Sequence, residues 1–150
     1  IPLSDEINTK NLNIKINDLN NNEYFGGTAI NVGNPHIIFF VNELENFNIK
    51  KIGPQIENHK MFPEKCNVTI AKVINKNLIK VKVWERGAGL TKACGTAACA
   101  SACANPAQCT TTSTRFFWSA SPADFRSGQI ALSAGDPEPR RTTPMTRQPA

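Results

Sequence analysis

ERGAGLTKACGTAACASACA, residues 85–104, is the stretch on which the reading of the fold turns. Val81, Val83 and Trp84 end a β-branched, aromatic run of strand character just before it. Gly87 and Gly89 break that run. Cys94-Gly95-Thr96 then opens a series containing Ala97, Ala98, Ala100, Ala102 and Ala104, the composition of a strong helix former. A strand end, a glycine loop and a cysteine at a helix mouth therefore follow one another. A helix start leaves backbone N–H groups unpaired and carries partial positive charge. Those groups favour a thiolate at Cys94, usable as nucleophile or base, and can hold a carboxylate or phosphate beside it. Gly95 and Ala97 are small enough for a ligand to approach the backbone. Taken alone, a lone cysteine in such a place is more often a packing residue.

Outward from this stretch, Leu12, Ile14 and Ile16 alternate with polar residues, which predicts a half-buried strand over 11–17. Residues 18–22 are turn-rich, and 28–32 read as a short strand broken at Gly33-Asn34-Pro35. The continuous apolar run 37–41 suits a buried strand. Residues 44–52 are ambiguous, with a short helix as one reading. Pro54 suits a first helical turn, so a helix is predicted over 54–60, ending before Pro63. Strands at 68–74 and 78–84 meet at Asn75-Lys76-Asn77, a hairpin signal. Periodicity alone thus gives an α+β fold.

The chain of 150 residues suits one domain, and 40% apolar residues suffice for a core. Its net charge is +5, yet Lys80 and Lys82 alternate with Ile79, Val81 and Val83 as the wet face of a strand, and aromatics are not interleaved with basic residues. Nucleic acid is therefore not an expected partner. No run is long and apolar enough to span a membrane. Ile1 in place of Met, without a signal-peptide pattern, reads as a fragment of a longer chain. Five cysteines without disulfide-framework spacing favour a reducing, cytoplasmic location. Cys94, Cys99, Cys103 and Cys109 lack the spacing of zinc or iron–sulfur ligands. Gly87-Ala88-Gly89 lacks the third glycine of a dinucleotide fingerprint, and residues 89–92 lack the ending of a P-loop. Papain-like Cys–His catalysis calls for a large, differently arranged chain. Asn67-Val68-Thr69 fits a glycosylation sequon, read here as chance.

Three segments in one order carry more information than any of these. NVGNPHIIFFV at 31–41, GPQIENHKMFPEKCNV at 53–68 and WERGAGLTKACGTAACA at 84–100 together resemble the diaminopimelate epimerase family over residues 1–104. The matching region corresponds to the second half of such an enzyme. The resemblance implies strands curled barrel-like around a central helix, as one half of a pseudo-duplicated two-domain enzyme. It implies cofactor-independent, metal-free conversion of L,L-diaminopimelate to the meso isomer, for lysine and peptidoglycan supply. Two acid–base groups on opposite sides of Cα do this more simply than one, and a thiolate with a thiol can serve.

Residue by residue, Cys94 resembles one cysteine of the catalytic pair, and the other belongs to the preceding half. Glu85 resembles the carboxylate that partners Cys94, and it also lies against substrate. His36 resembles the partner of the absent cysteine. Asn34 and Asn67 resemble the amides that grip the distal amino-acid end. Arg86 resembles the residue that binds the distal carboxylate, a task suited to its bidentate fork. Gly95 and Thr96 resemble the helix-start residues whose N–H groups hold the α-carboxylate. Ala97 departs from the glycine common there in the family. In isolation His36 would be a satisfied loop histidine, Glu85-Arg86 an ion pair of little worth, and Asn34 plain turn chemistry; only their joint order promotes them. Cys66 reads as structural, and Cys99 and Cys103, four apart on the helix, as core-facing small hydrophobes. Implied partners are diaminopimelate, the missing N-terminal half domain and a possible second copy in a homodimer. The alternatives are a related racemase of the proline type on the same fold, or a non-catalytic fragment. A proline site has no second amino-acid end for Asn34, Asn67 and Arg86 to hold.

Composition changes near Asn105. Lysine occurs eleven times before it and never after, and asparagine falls from sixteen to Asn105 itself. Residues 105–150 are thus expected to form an unmatched tail, with Pro137, Pro139, Pro144 and Pro149 marking disorder or a frameshifted or chimeric reading frame.

Overall fold

A computed structural model describes residues 8–75 and 78–105, together with the backbone of two further strands at 116–119 and 129–134. The two-stranded sheet pairs β1 (Ile14–Asn17) with β2 (Glu23–Gly26) in antiparallel fashion. Asp18 closes the turn between them, accepting from the Asn20 and Asn22 amides at 2.9 and 2.8 Å.

The larger sheet contains β3 (Thr28–Asn31), β4 (Pro35–Phe40), β5 (Asn67–Asn75), β6 (Leu78–Glu85), β7 (Gly89–Thr91), β8 (Phe116–Ser119) and β9 (Gln129–Ala134). Its order is β3-β4-β5-β6-β9-β8, with β7 also on β6. Only β4 and β5 among these neighbours are parallel. Parallel neighbours need a long crossover. Here it is a 3₁₀ turn, Leu44–Asn46, followed by α1 (Ile49–Glu57). The second helix, α2 (Gly95–Ala104), follows β7. The α+β expectation therefore holds, as a mixed sheet with a helix on each face.

Side-chain alternation divides the core. Ile37, Phe39, Val68 and Ile70 face α1 with Ile49, Ile52 and Ile56. Ile38, Ala71, Ile79, Val81 and Val83 face α2 with Ala97 and Ala100. Lys72 and Lys82 lie on the α1 side with Ile70, donating to Glu43 and Glu45 at 2.7 and 3.0 Å. The Lys82 side chain is 12% exposed, so the lysine face of β6 is not the wet face its alternation suggested: the 3₁₀ turn covers it, and Lys82 donates to the Leu44 carbonyl at 3.1 Å.

Several expectations need correction. The helix begins at Ile49, not at Pro54, because the Asn48 side chain caps it, accepting from the Lys50 amide at 3.1 Å. Pro54 sits inside it. Cys99 and Cys103 do share a face, but it is the exposed one. Ala97 and Ala100 turn inward, and Cys99 lies two residues, or about 200°, from Ala97 around the helix. Cys66 is buried as read, its thiol 3.7 Å from the Ile56 carbonyl and pushed up to about 12 by burial and then by Glu57. Asn67 of the sequon is buried. Of the tail read as disordered or chimeric, 116–119 and 129–134 are strands that extend the sheet from β6. Cys109, Lys76, Asn77 and the four tail prolines lie outside the described residues.

Gly53 packs flat against the Trp84 indole. A Cβ there would lie 2.3 Å from Cγ and 2.8 Å from Cβ of Trp84, near the root of a large side chain rather than at a flexible tip. Gly53→Ala gains about 1 kcal/mol of helix propensity. Overpacking costs about 1–3 kcal/mol and dominates here, because the indole is also hydrogen-bonded. Urea unfolding should show net destabilisation; a variant as stable as the parent would contradict this packing.

Candidate active site

Strand register builds the site. In the parallel pair, His36 of β4 stands opposite Asn67 of β5. Val68 stands opposite Trp84 in the antiparallel pair, so Glu85 ends β6 at the level of Asn67. Residues 36, 67 and 85 thus form one rim of the sheet. Alternation turns them to the same face as Ile38, Thr69 and Val83, which is the α2 face.

The mouth of α2 meets that rim. Cys94 is the N-cap, half-buried and extended at φ −147° and ψ 104°. Its Sγ lies 3.4 Å from Thr96 Oγ1. Asn34 Nδ2 donates to the same Thr96 Oγ1 at 3.4 Å, and Asn34 Oδ1 lies 3.0 Å from His36 Nε2. A chain of polar contacts therefore runs from Cys94 through Thr96 and Asn34 to His36. Asn67 continues it. Its Nδ2 donates to the Pro35 carbonyl at 3.0 Å and lies 3.5 Å from His36 Nε2, while its Oδ1 accepts from the Arg86 amide at 3.0 Å. The Arg86 guanidinium reaches the Glu64 carbonyl at 2.8 Å. All seven residues singled out from the sequence, with Gly95 beside Cys94, thus lie along one rim or its adjoining helix mouth. No hydrogen bond joins Glu85 to Cys94 among the described residues.

His36 is fully buried, and burial pulls its imidazole down from 6.5 to about 4. The Glu85 carboxylate opposes this and the Arg86 guanidinium reinforces it. Its Nδ1 has no hydrogen-bond partner among the described residues. A cavity of about 350 Å³ opens beside the ring, lined by Thr9, Ile30, Asn31, Pro35 and Phe62. The arrangement offers a neutral imidazole, a carboxylate, a thiol at a helix start and a cation, with amides between them. That set can hold carboxylates and move a proton.

Sequence reasoning missed the back of the site. Glu57, the last residue of α1, is buried and accepts from the Trp84 indole N–H at 2.7 Å and the Gly87 amide at 3.0 Å. A signal for it exists: Glu57 falls on the same helical stripe as Ile49, Ile52 and Ile56, where an acidic residue calls for donors.

Comparison with known proteins gives the family. The family model for diaminopimelate epimerase matches residues 28–119. Relatives carrying that name include one from Pelagibacter ubique, 72% identical over 69% of this chain and 38% of its own length. Another, from Afipia carboxidovorans, is 43% identical over 69% of this chain and 36% of its own length. A third, from a Wolbachia of Drosophila simulans, is 45% identical over 67% of this chain and 36% of its own length. The chain therefore spans somewhat more than a third of the length of these relatives.

The neutral state of His36 makes stability pH-dependent. The unfolded chain takes up this proton near pH 6.5 and the folded chain only near 4. The contribution is therefore complete above about pH 6.5 and is lost as pH falls towards 4, by on the order of 3 kcal/mol. Urea unfolding between pH 7 and 4.5 should show this decline, and His36→Gln should flatten it. An identical pH slope in the two proteins would refute a buried neutral imidazole. The rim geometry, the ordered motifs and the match over 28–119 together make this chain a member of the diaminopimelate epimerase family.

Proposed function

We propose that this chain supplies the second-cysteine half of a cofactor-independent epimerase converting L,L-diaminopimelate to the meso isomer. The single observation that carries the reading is the seating of Cys94 at the mouth of α2, against the rim that holds His36, Asn67 and Glu85. In this mechanism Cys94 removes or returns the Cα proton from one face, and a thiol from the other half serves the opposite face. Glu85 exchanges protons with Cys94. The free N–H groups of Gly95 and Thr96 receive the α-carboxylate. Asn34, Asn67 and Arg86 hold the distal end, and His36 serves the cysteine of the other half. The larger sheet is read as one half of a pseudo-duplicated enzyme, curling around α2, with residues 1–104 as its domain. Beyond the matched residues 28–119, the low-lysine segment is read as foreign to it apart from the strand at 129–134 that extends the sheet. A cytoplasmic location and a possible homodimer follow from the same kinship.

By itself the chain is inactive, because half of the acid–base pair is elsewhere. The test is deuterium wash-in at Cα of diaminopimelate in heavy water. Exchange should appear when the chain is mixed with a first-half domain from a relative, and not with the chain alone. Cys94→Ala should lower the exchange rate of the mixture by at least about 100-fold. Exchange by the chain alone, or exchange that survives Cys94→Ala, would overturn the reading. Exchange of proline but not diaminopimelate would favour the proline-type alternative.

A further inference from the structure

We propose that Glu57 is a positioning residue: from the back of the sheet it fixes the end of β6 and thereby places Glu85 and Arg86. Consecutive residues of a strand point to opposite faces. Trp84 points to the α1 side and packs against the cluster of Ile49, Ile52 and Ile56. Glu85 points to the α2 side. Whatever pins Trp84 therefore sets Glu85 from behind.

Glu57 does so at two points. One carboxylate oxygen accepts from the Trp84 indole N–H and the other from the amide of Gly87, so the two bonds bracket Glu85 and Arg86 in sequence. Gly87 stands at φ 76°, in the left-handed region that favours glycine, where the chain turns towards β7. Among the described residues, no other hydrogen bond holds this turn from the α1 side; the Ala88 amide closes it locally on the Glu85 carbonyl at 3.1 Å. Two converging N–H donors need an acceptor-only group. A glutamine would offer one oxygen and one NH₂, so one donor would meet another donor. Lys65 approaches the same carboxylate at 3.8 Å, but its side chain is 53% exposed and this pair carries little.

The placement of Glu57 stands on geometry; its consequence for catalysis rests on the reading under Proposed function. The test separates the two. In the unmodified chain the Gly87 amide should be protected from hydrogen exchange. In Glu57→Gln it should exchange about tenfold faster or more, while amides in the middle of β5 and β6 keep their rates. The titration of the His36 ring, followed by NMR, should move as well, because Glu85 and Arg86 both act on it. Lys65→Gln should change none of these. An unprotected Gly87 amide in the parent, a uniform acceleration over the whole sheet, or an unmoved His36 titration would each overturn the proposal. If Glu57→Gln does not fold, Glu57→Asp, which is shorter by one methylene, is read by the same criteria. In the two-part mixture Glu57→Gln should lower Cα exchange about tenfold or more. Exchange absent from the parent mixture as well counts against the functional reading and leaves the NMR result to decide the role of Glu57.

Discussion

The parallel pairing of β4 with β5 is the constraint from which the rest of the molecule follows. Two strands that run the same way both begin at the same side of the sheet, and an antiparallel third ends there. His36, Asn67 and Glu85 become neighbours for that reason, although 49 residues separate the first from the last. The period of two then sends all three to one face. A parallel pair also cannot be joined by a tight turn. Its crossover must traverse the opposite face, and α1 does so, delivering Glu57 behind Trp84 at the moment the chain turns back into β5. One topological choice therefore sets both the front of the site and its support.

Polar groups at that rim are stitched to each other where the sheet ladder gives out. Asn67 serves two strands at once: it donates to the Pro35 carbonyl at the start of β4 and accepts from the Arg86 amide past the end of β6. In low dielectric such bonds are strong, and a missing one is costly. This is why amides rather than further charges connect His36 to the helix mouth. An amide is donor and acceptor together and adds no ion to desolvate. The His36 ring is kept neutral by the same burial. A neutral imidazole retains one nitrogen that accepts, which a protonated ring lacks.

Much of this was legible because it is written in local chemistry. The alternation of Ile79, Val81 and Val83 against Lys80 and Lys82 marked β6, and Cys94-Gly95-Thr96 marked the helix mouth. What escaped depends on partners remote in sequence. β2, Glu23–Gly26, carries Tyr24 and Phe25 partly in solvent, so no inward face announces it. β7 is three residues long and exists through its pairing to β6. Pro54 drew the expected start of α1 towards itself, since proline suits a first turn; the Asn48 cap six residues earlier decided otherwise. Cys99 and Cys103 went to the wrong face because every residue of α2 is small, and a helix without size or polarity contrast has no stripe to read. The motifs themselves, resting on order along the chain, located the rim without any of these details.

The smallness that hid the faces of α2 has a structural purpose. Ala97 and Ala100 are fully buried against Ile38, Val81 and Val83. Distance between a helix and the sheet beneath it is set by the side chains at the contact, and alanine permits a close approach. The helix axis therefore lies low over the sheet, and its first turn is drawn down to the rim. That is what allows Thr96, a short side chain, to be met by Asn34, also short, across 62 positions in sequence. With leucines at 97 and 100 the helix would ride higher, and this bridge would open before any residue of the rim had changed. Cys94, as the residue just outside the first turn, moves with that axis. Its link to His36 through Thr96 and Asn34 is thus a consequence of alanine packing several residues away, and the buried Ala97 meets that requirement.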